Sequence, residues 1–272
     1  MAYKITVIGG ANADIAGTPS SVLRMHDSNP GKISVTPGGV GRNIAENLRN
    51  LGCDVSLITA FGGDVFSLFL KENCRSLGID ISLCATFQNL RSSLYMFIND
   101  ETGDLHTAIN DMEIISLITP DYISGIVDKI NMSDACVIDA NLNTDTLKYI
   151  ADNVTVPIFA DPVSVSKCMK LKEVLPRLTA IKPNRYEYAA YGSVPCTCYV
   201  SMGNEGMTVI DSCCEYHVNA PSISVTNTNG CGDTATAAIV YATLNGMDVK
   251  SIAEFAVNLA SKKAEGKIFS DV

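Results

Sequence analysis

No apolar run in this sequence approaches the ~20 residues that a helix needs to cross a bilayer, so no membrane partner is expected. Basic clusters are missing too. Acidic residues outnumber basic ones, 29 to 20, and the formal charge of −9 argues against a nucleic-acid surface. Only three histidines occur, and His26, His106 and His217 stand far apart. Cysteine is plentiful, but Cys196, Cys198, Cys213 and Cys214 have no Cys or His partners at zinc spacing. Met1-Ala2-Tyr3-Lys4 runs straight into a strand-like segment, with no secretory leader pattern. The remaining cysteines, such as Cys53, Cys74, Cys136 and Cys168, lie in apolar runs and read as reduced, buried thiols of a cytoplasmic protein. Neither G-x-G-x-x-G nor a Walker-type G-K-[ST] is found, which disfavours dinucleotide oxidoreductases and P-loop enzymes. Repeats, low-complexity tracts and linkers are also absent. The 272 residues, 18% of them charged, suit a globular chain with a substantial core, expected as a single domain over 1–272.

What is present concentrates near the end of the chain. Ile223-Ser224-Val225 reads as a short strand, Asn229-Gly230-Cys231-Gly232 as a turn, and an Ala-rich apolar helix leaves it. Glycine at 230 and 232 permits close approach of the backbone to a ligand. A helix start offers unpaired N–H groups and a positive dipole end, which together bind anions. Asp233, at the mouth of that site, is electrostatically awkward unless it has a task. A general base for phosphoryl transfer is one: the turn holds the charge on the transferred group while Asp233 takes a proton from the attacking hydroxyl. A plainer reading stands beside it, with Thr228 or Asn229 as N-cap and Asp233 as a favourable acid in the first turn.

A second glycine cluster lies far upstream. Lys4 to Ile8 is a continuous apolar run ending at Gly9-Gly10, as expected for a buried strand of a parallel sheet. Asn12 and Asp14 follow at its carboxyl end, where ligands of open α/β sheets bind. Paired amide and carboxylate suit vicinal sugar hydroxyls, although an Asx-type turn would use the same residues. Gly38, Gly39 and Gly41 crowd the start of a helix whose face is Ile44, Ala45, Leu48 and Leu51, with Asn43 in its first turn and Gly52 at its end.

Between these clusters the pattern is mostly β/α alternation. Strands are expected at 55–60, near 81–83, at 135–139, 156–160 and 198–202, with helices following Asp64 and around 121–130, 144–152 and 251–263. Ser92–Ile98 and Asp104–Ile109 flank a turn and read as a hairpin. Alternation of this kind means an α/β fold with a doubly wound, mostly parallel sheet flanked by helices. Asp139, Asn141 and Asp161 would then sit at strand ends facing the cleft.

Gly38 to Gly52 matches GG-x-x-x-N-x-A-x-x-L-x-x-L-G, and Asn227 to Asp233 resembles D-T-x-G-A-G-D. The sequence therefore resembles the ribokinase-like (PfkB) carbohydrate and nucleoside kinases. The resemblance implies Asp233 as base and Gly230, Cys231 and Gly232 as the anion hole. It implies that Asn12, Asp14, Gly38, Gly39 and Asn43 hold the substrate. Asn184 and Glu187 form the family's N-x-x-E, which holds Mg²⁺ around the phosphates, although N-x-x-E also caps ordinary helices. Asn184, Gly203, Gly206, Thr228 and Asn258 would border the ATP. A small β-sheet lid from roughly 11–37 and 91–110 would cover the substrate and offer a homodimer surface. Two departures are Cys231 for Ala, and Asn227 for the Asp that helps to bind a monovalent cation such as K⁺. Only ten residues separate Glu187 from the next strand, where the family usually inserts more.

The GGANADIAG run, Gly38 to Gly52 and Ala108-Ile109-Asn110-Asp111-Met112 narrow the resemblance to the pseudouridine kinase branch. Asn110 is then a substrate contact, or with Asp111 a helix cap. Asp161-Pro162-Val163-Ser164 and Lys167 share the same pattern without an assigned role. The expected activity is ATP-dependent phosphorylation of a ribose 5′-hydroxyl. A ribokinase or another sugar or purine-nucleoside kinase shares every catalytic residue, and a non-catalytic nucleoside sensor is the reading from a different class.

Overall fold

The computed structural model describes residues 2–212 and 214–267. Cys213 and the end of the chain as far as Val272 lie outside the described residues. In β1, Lys4–Ile8, every residue after the first is buried, because both faces of the sheet are covered. The chain then leaves the main sheet for β2, Asn12–Pro19, and β3, Gly31–Gly38, before α1, Val40–Asn50. It returns as β4, Asp54–Ile58, continues through β5, Ala60–Gly62, and α2, Val65–Ser76, and reaches β6, Ala85–Phe87. β7, Leu94–Asn99, and β8, Leu105–Asp111, form the expected hairpin.

Two short helices follow, α3 at Pro120–Ser124 and α4 at Val127–Ile130, where one was expected; the break falls at Gly125-Ile126. β/α alternation then gives β9, Ala135–Asp139; α5, Thr144–Asn153; β10, Ile158–Asp161; α6, Val165–Cys168; β11, Ala180–Ile181; and α7, Arg185–Tyr191. β12, Thr197–Ser201, β13, Met207–Asp211, and β14, Cys214–Val218, form a meander before α8, Cys231–Leu244, and α9, Val249–Ala264.

The main sheet has eight strands in the order β14-β13-β12-β11-β10-β9-β1-β4, with antiparallel pairing confined to β13 and β14. Alternate residues of one strand feed different cores. Ala135 and Val137 of β9 join the core under α1, α8 and α9, while Cys136 and Ile138 join the core under α3 and α5. This is the expected doubly wound sheet. Among the described residues no helix is long and apolar enough to cross a membrane, and the described cysteines are all unpaired.

Two expected strands are absent. At 81–83 the Asp80 side chain accepts from Ser82 N at 2.9 Å, and Cys84 N donates to Ile81 O at 3.1 Å, so a local turn takes the backbone groups a strand would need. At 223–225 the β-branched residues find no strand to pair with and instead wall a cavity.

A second sheet, ordered β3-β2-β7-β8, stands apart from the first. Asp14 lies opposite Thr36 and Tyr95, and Tyr95 lies opposite Asn110, so these four share one face. Ile15, Val35, Met96 and Ile109 form the corresponding row on the other face. One face is polar and aromatic, the other apolar.

α8 is buried nearly all round, and its alanines let α1 and α9 approach closely. The joint with α1 carries a buried bond, Thr234 Oγ1 to Asn47 Oδ1, at 2.9 Å. Thr234→Val keeps the shape but orphans the Asn47 oxygen. It should cost about 1–3 kcal/mol in a denaturant or thermal melt, more than a surface Thr→Val change.

Candidate active site

The N-termini of α1 and α8 converge above the carboxyl ends of β1, β9 and β10. The plainer reading expected Thr228 or Asn229 to cap α8, and neither does. Gly230 is the N-cap, in the left-handed region at φ 76°, and no side chain bonds to the helix start. Asn229 N donates to Asn227 Oδ1 at 2.8 Å and Cys231 N to Thr228 O at 3.3 Å. Among the described residues nothing accepts from Gly232 N or Asp233 N, so two donors at the positive end of a helix remain for an anion. Gly232 also lies close to Lys182. A Cβ there would stand 3.3 Å from Lys182 Nζ, pressing on the buried ammonium.

Asp233 is buried in the first turn of α8, and its Oδ2 accepts from Asn43 Nδ2 at 2.7 Å. Asn43 Oδ1 in turn accepts from the Arg42 guanidinium, which also donates to Gly38 O at 3.1 Å and Glu46 Oε2 at 2.8 Å. Asn43 thus holds the Asp233 carboxylate, a contact that its expected place in the substrate site did not include. Below it, Lys182 Nζ lies 3.4 Å from Asp161 Oδ2, which accepts from Thr236 Oγ1 of α8 at 2.8 Å. Burial and the neighbouring Asp161 push the Asp233 carboxyl up to about 7, against the pull of Asn43, Lys182 and Arg42. Burial alone would lower Lys182, but Asp161, Glu187 and Asp233 outweigh it and hold the ammonium charged.

Arg42, Lys182 and Thr236 had no assigned role in the sequence. Lys182 follows a two-residue strand, too short for any periodicity to show which way it points. The Arg42–Glu46 spacing was visible as an i,i+4 pair, but not its burial.

Beyond the end of β1, Asn12 is buried and donates to Asp14 Oδ1 at 2.6 Å. Burial raises the Asp14 carboxyl, with Asn12 and Arg42 opposing. Gly39 has φ 95°, and a Cβ on it would lie 2.5 Å from Gly10 O; one on Gly38 would run into the Asp14 carboxylate. These glycines let α1 start directly against the end of β1. Asn110 is exposed on β8 and not a helix cap, since Met112 precedes the 3-10 turn Glu113–Leu117 without a side-chain bond. It does share the face of Asp14. Asp139 does not face the cleft: its oxygens accept from Gly10 N at 2.8 Å and Asn141 N at 2.9 Å, tying β9 to β1. Lys167 Nζ donates to Asn141 Oδ1 at 2.8 Å.

A cavity of about 640 Å³ opens on the far side of the α8 N-terminus. Gly203, Gly206, Thr228, Cys231 and Gly232 line it, and its volume suits a nucleotide. Asn258 does not reach it. Val257, Ser261 and Ala264 share the helix face that does, and Asn258, about 100° round the axis, is exposed. Burial pushes the Cys231 thiol up, which makes it a poor nucleophile.

Asn184 and Glu187 form a capping box on α7. Asn184 Oδ1 accepts from Tyr186 N and Glu187 N at 2.9 Å, and Glu187 Oε2 accepts from Asn184 N at 2.7 Å. Direct ligation of Mg²⁺ by the Asn184 oxygen does not suit this arrangement. Glu187 Oε1 is uncommitted, and an oxygen of this kind can hold Mg²⁺ through water. The K⁺ position would fall at Asn227, whose oxygen is taken by the turn.

The pattern of pfkB family carbohydrate kinases matches residues 2–267. The chain is 34% identical to the pseudouridine kinase of Escherichia coli (strain K12), over 94% of this chain and 89% of that one. It is 24% identical to the guanosine-inosine kinase of Exiguobacterium acetylicum, over 98% and 95%. Among solved structures, a carbohydrate kinase from Agrobacterium tumefaciens superposes with a TM-score of 0.87 at 27% identity, covering 99% of this chain and 94% of the other. Because the likeness runs through both sheets and not only the two glycine clusters, the chain belongs to the pfkB family of carbohydrate kinases, phosphotransferases whose acceptor is an alcohol group.

Proposed function

We propose that this kinase moves the γ-phosphoryl group of ATP to the 5′-hydroxyl of a ribose-containing nucleoside, and that its substrate is pseudouridine. The observation that carries the transfer is the position of Asp233. Its carboxylate stands beside two free N–H donors, with the cavity on one side and Asp14 and Asn43 on the other. The similarity to a pseudouridine kinase supports the choice of nucleoside.

In this reading Asp14 and Asn12 orient the ribose hydroxyls, and Asp233 accepts the proton of the attacking 5′-hydroxyl. The bond from that oxygen to the γ-phosphorus forms as the bond to the β-phosphate bridging oxygen breaks, and ADP leaves. Gly232 N and Asp233 N hold the charge of the transferred group, with Lys182 close behind. Mg²⁺, held through water near Glu187 and Asn184, would neutralise phosphate charge. The second sheet serves as a lid that excludes water. Its apolar face, with Ile33 78% and Ile109 66% exposed, meets the same face of a second copy in a homodimer. The whole is one kinase domain in a reducing cytoplasm.

ADP release from ATP and Mg²⁺ with pseudouridine, uridine, inosine and ribose in parallel tests the reading. Pseudouridine should give the highest kcat/KM, and Asp233→Asn should lose about 10³-fold while remaining folded. Wild-type-like turnover in that variant would remove Asp233 as base. Absence of turnover on all four, with binding intact, would leave a nucleoside sensor.

The raised carboxyl sets the pH dependence. Asp233 must be ionised to accept a proton, so log kcat/KM should climb with slope near one below pH about 7 and level off above it. Ionising a carboxyl whose folded pKa is raised costs stability above that pKa, and the cost vanishes below the unfolded value. Asp233→Asn should therefore melt higher at pH 8, by roughly 1–3 kcal/mol, with the gain fading toward pH 4.

For the lid face, sedimentation should give a dimer for the wild type and a monomer for an Ile33→Asp, Ile109→Asp double variant. A wild-type monomer at micromolar concentration would reject the pairing.

A further inference from the structure

β7 carries two rings on the face of the second sheet that looks toward Asp233. Tyr95 and Phe97 are two residues apart and therefore on the same side, with centroids 5.3 Å apart and planes tilted by 33°. Phe97 is flanked in register by Ala16 and Ala108, too small to cover it. Tyr95 is flanked by Asp14 on one side and Asn110 on the other. Both rings remain half-exposed, and among the described residues neither the Tyr95 hydroxyl nor the Asn110 amide has a hydrogen-bond partner. The direction of the face is set by Asp14, which feels the Arg42 charge and lies against Gly38, at the same helix start that holds Asp233 through Asn43.

A sugar alone would be served by Asn12, Asp14 and the α1 N-terminus. The rings extend this polar site by an uncovered aromatic surface, bounded two strands away, about 10 Å, by an uncommitted amide. That sequence of acid, ring pair and amide follows the layout of a nucleoside: hydroxylated ribose, flat base, polar base edge. Every base offers a π-face to an aromatic side chain, and a planar carbonyl or N–H edge to an amide.

We propose that Tyr95 and Phe97 are the base platform of this kinase, that Asn110 reads the outer edge of the base, and that these three residues make it select a nucleoside over a free sugar. The proposal rests on the kinase reading above and adds the determinant of its substrate class. The base lies against the rings while Asp14 takes the ribose hydroxyls, which sets the 5′-hydroxyl toward Asp233.

Calorimetric titration of pseudouridine and of ribose into the full-length protein, with steady-state kinetics alongside, tests it. Tyr95→Ser, Phe97→Ser and Asn110→Ala should each weaken pseudouridine about tenfold, as a rise in KM with kcat changed less than twofold. Ribose affinity and the KM for ATP should move less than twofold, and Tyr95→Phe should recover most of the loss because the ring is kept. Asn110 is exposed, so its variant tests the site without disturbing a core. Unchanged pseudouridine affinity in all three variants would overturn the platform, as would an equal loss for ribose. Wild-type protein binding ribose as tightly as pseudouridine would overturn it while leaving the kinase reading intact. Binding of neither ligand would bring down both.

Discussion

The 2.7 Å bond from Asn43 to Asp233 joins two helix starts that come from opposite ends of the chain. Each of those starts is built on glycine. α1 begins at Gly39 because a side chain there would collide with Gly10, and α8 begins at Gly230 because its backbone is left-handed. With the helices fixed by Thr234 and Asn47, the amide of Asn43 reaches the Asp233 carboxylate, and Arg42 anchors the amide from behind. Displace either helix by an ångström, and the Asp233 carboxylate loses its orientation relative to both the cavity and Asp14.

Charge is arranged against the grain of stability around that bond. Asp233 and Asp161 share a buried region with Glu187, and two buried cations, Lys182 and Arg42, are set among them. Removing one buried partner would leave another charge uncompensated. The gain is a carboxyl poised near neutral pH beside donors that have no acceptor among the described residues. A site satisfied in itself would have less to offer a transferring phosphoryl group.

The second sheet divides its labour by strand alternation. A single register puts Asp14, Tyr95 and Asn110 on one face, and Val35, Met96 and Ile109 on the other. A shift of one residue in β2 or β7 would exchange the two faces. The same pairing therefore defines both the polar, aromatic face and the apolar one.

Local pattern alone determined a good deal of this protein. Lys4–Ile8 and Ala135–Asp139 were legible as strands to the residue, because continuous apolar runs between turns leave few alternatives. The two glycine signatures named the family, and spacing placed α5 and α9 to within two residues. The capping box of Asn184 and Glu187 was readable as a cap, which is a local event. Long-range packing decided the rest. Ile223–Val225 had the composition of a strand but no edge to pair with, and Asn258 was on a helix whose phase toward the cavity only the fold could set. The bare start of α8, the burial of Lys182 against Asp161 and the raised carboxyl of Asp233 depend on groups distant in sequence. Desolvation and charge are properties of an assembled neighbourhood, so tertiary structure alone could raise the carboxyl of an aspartate in a glycine-rich turn toward neutral pH.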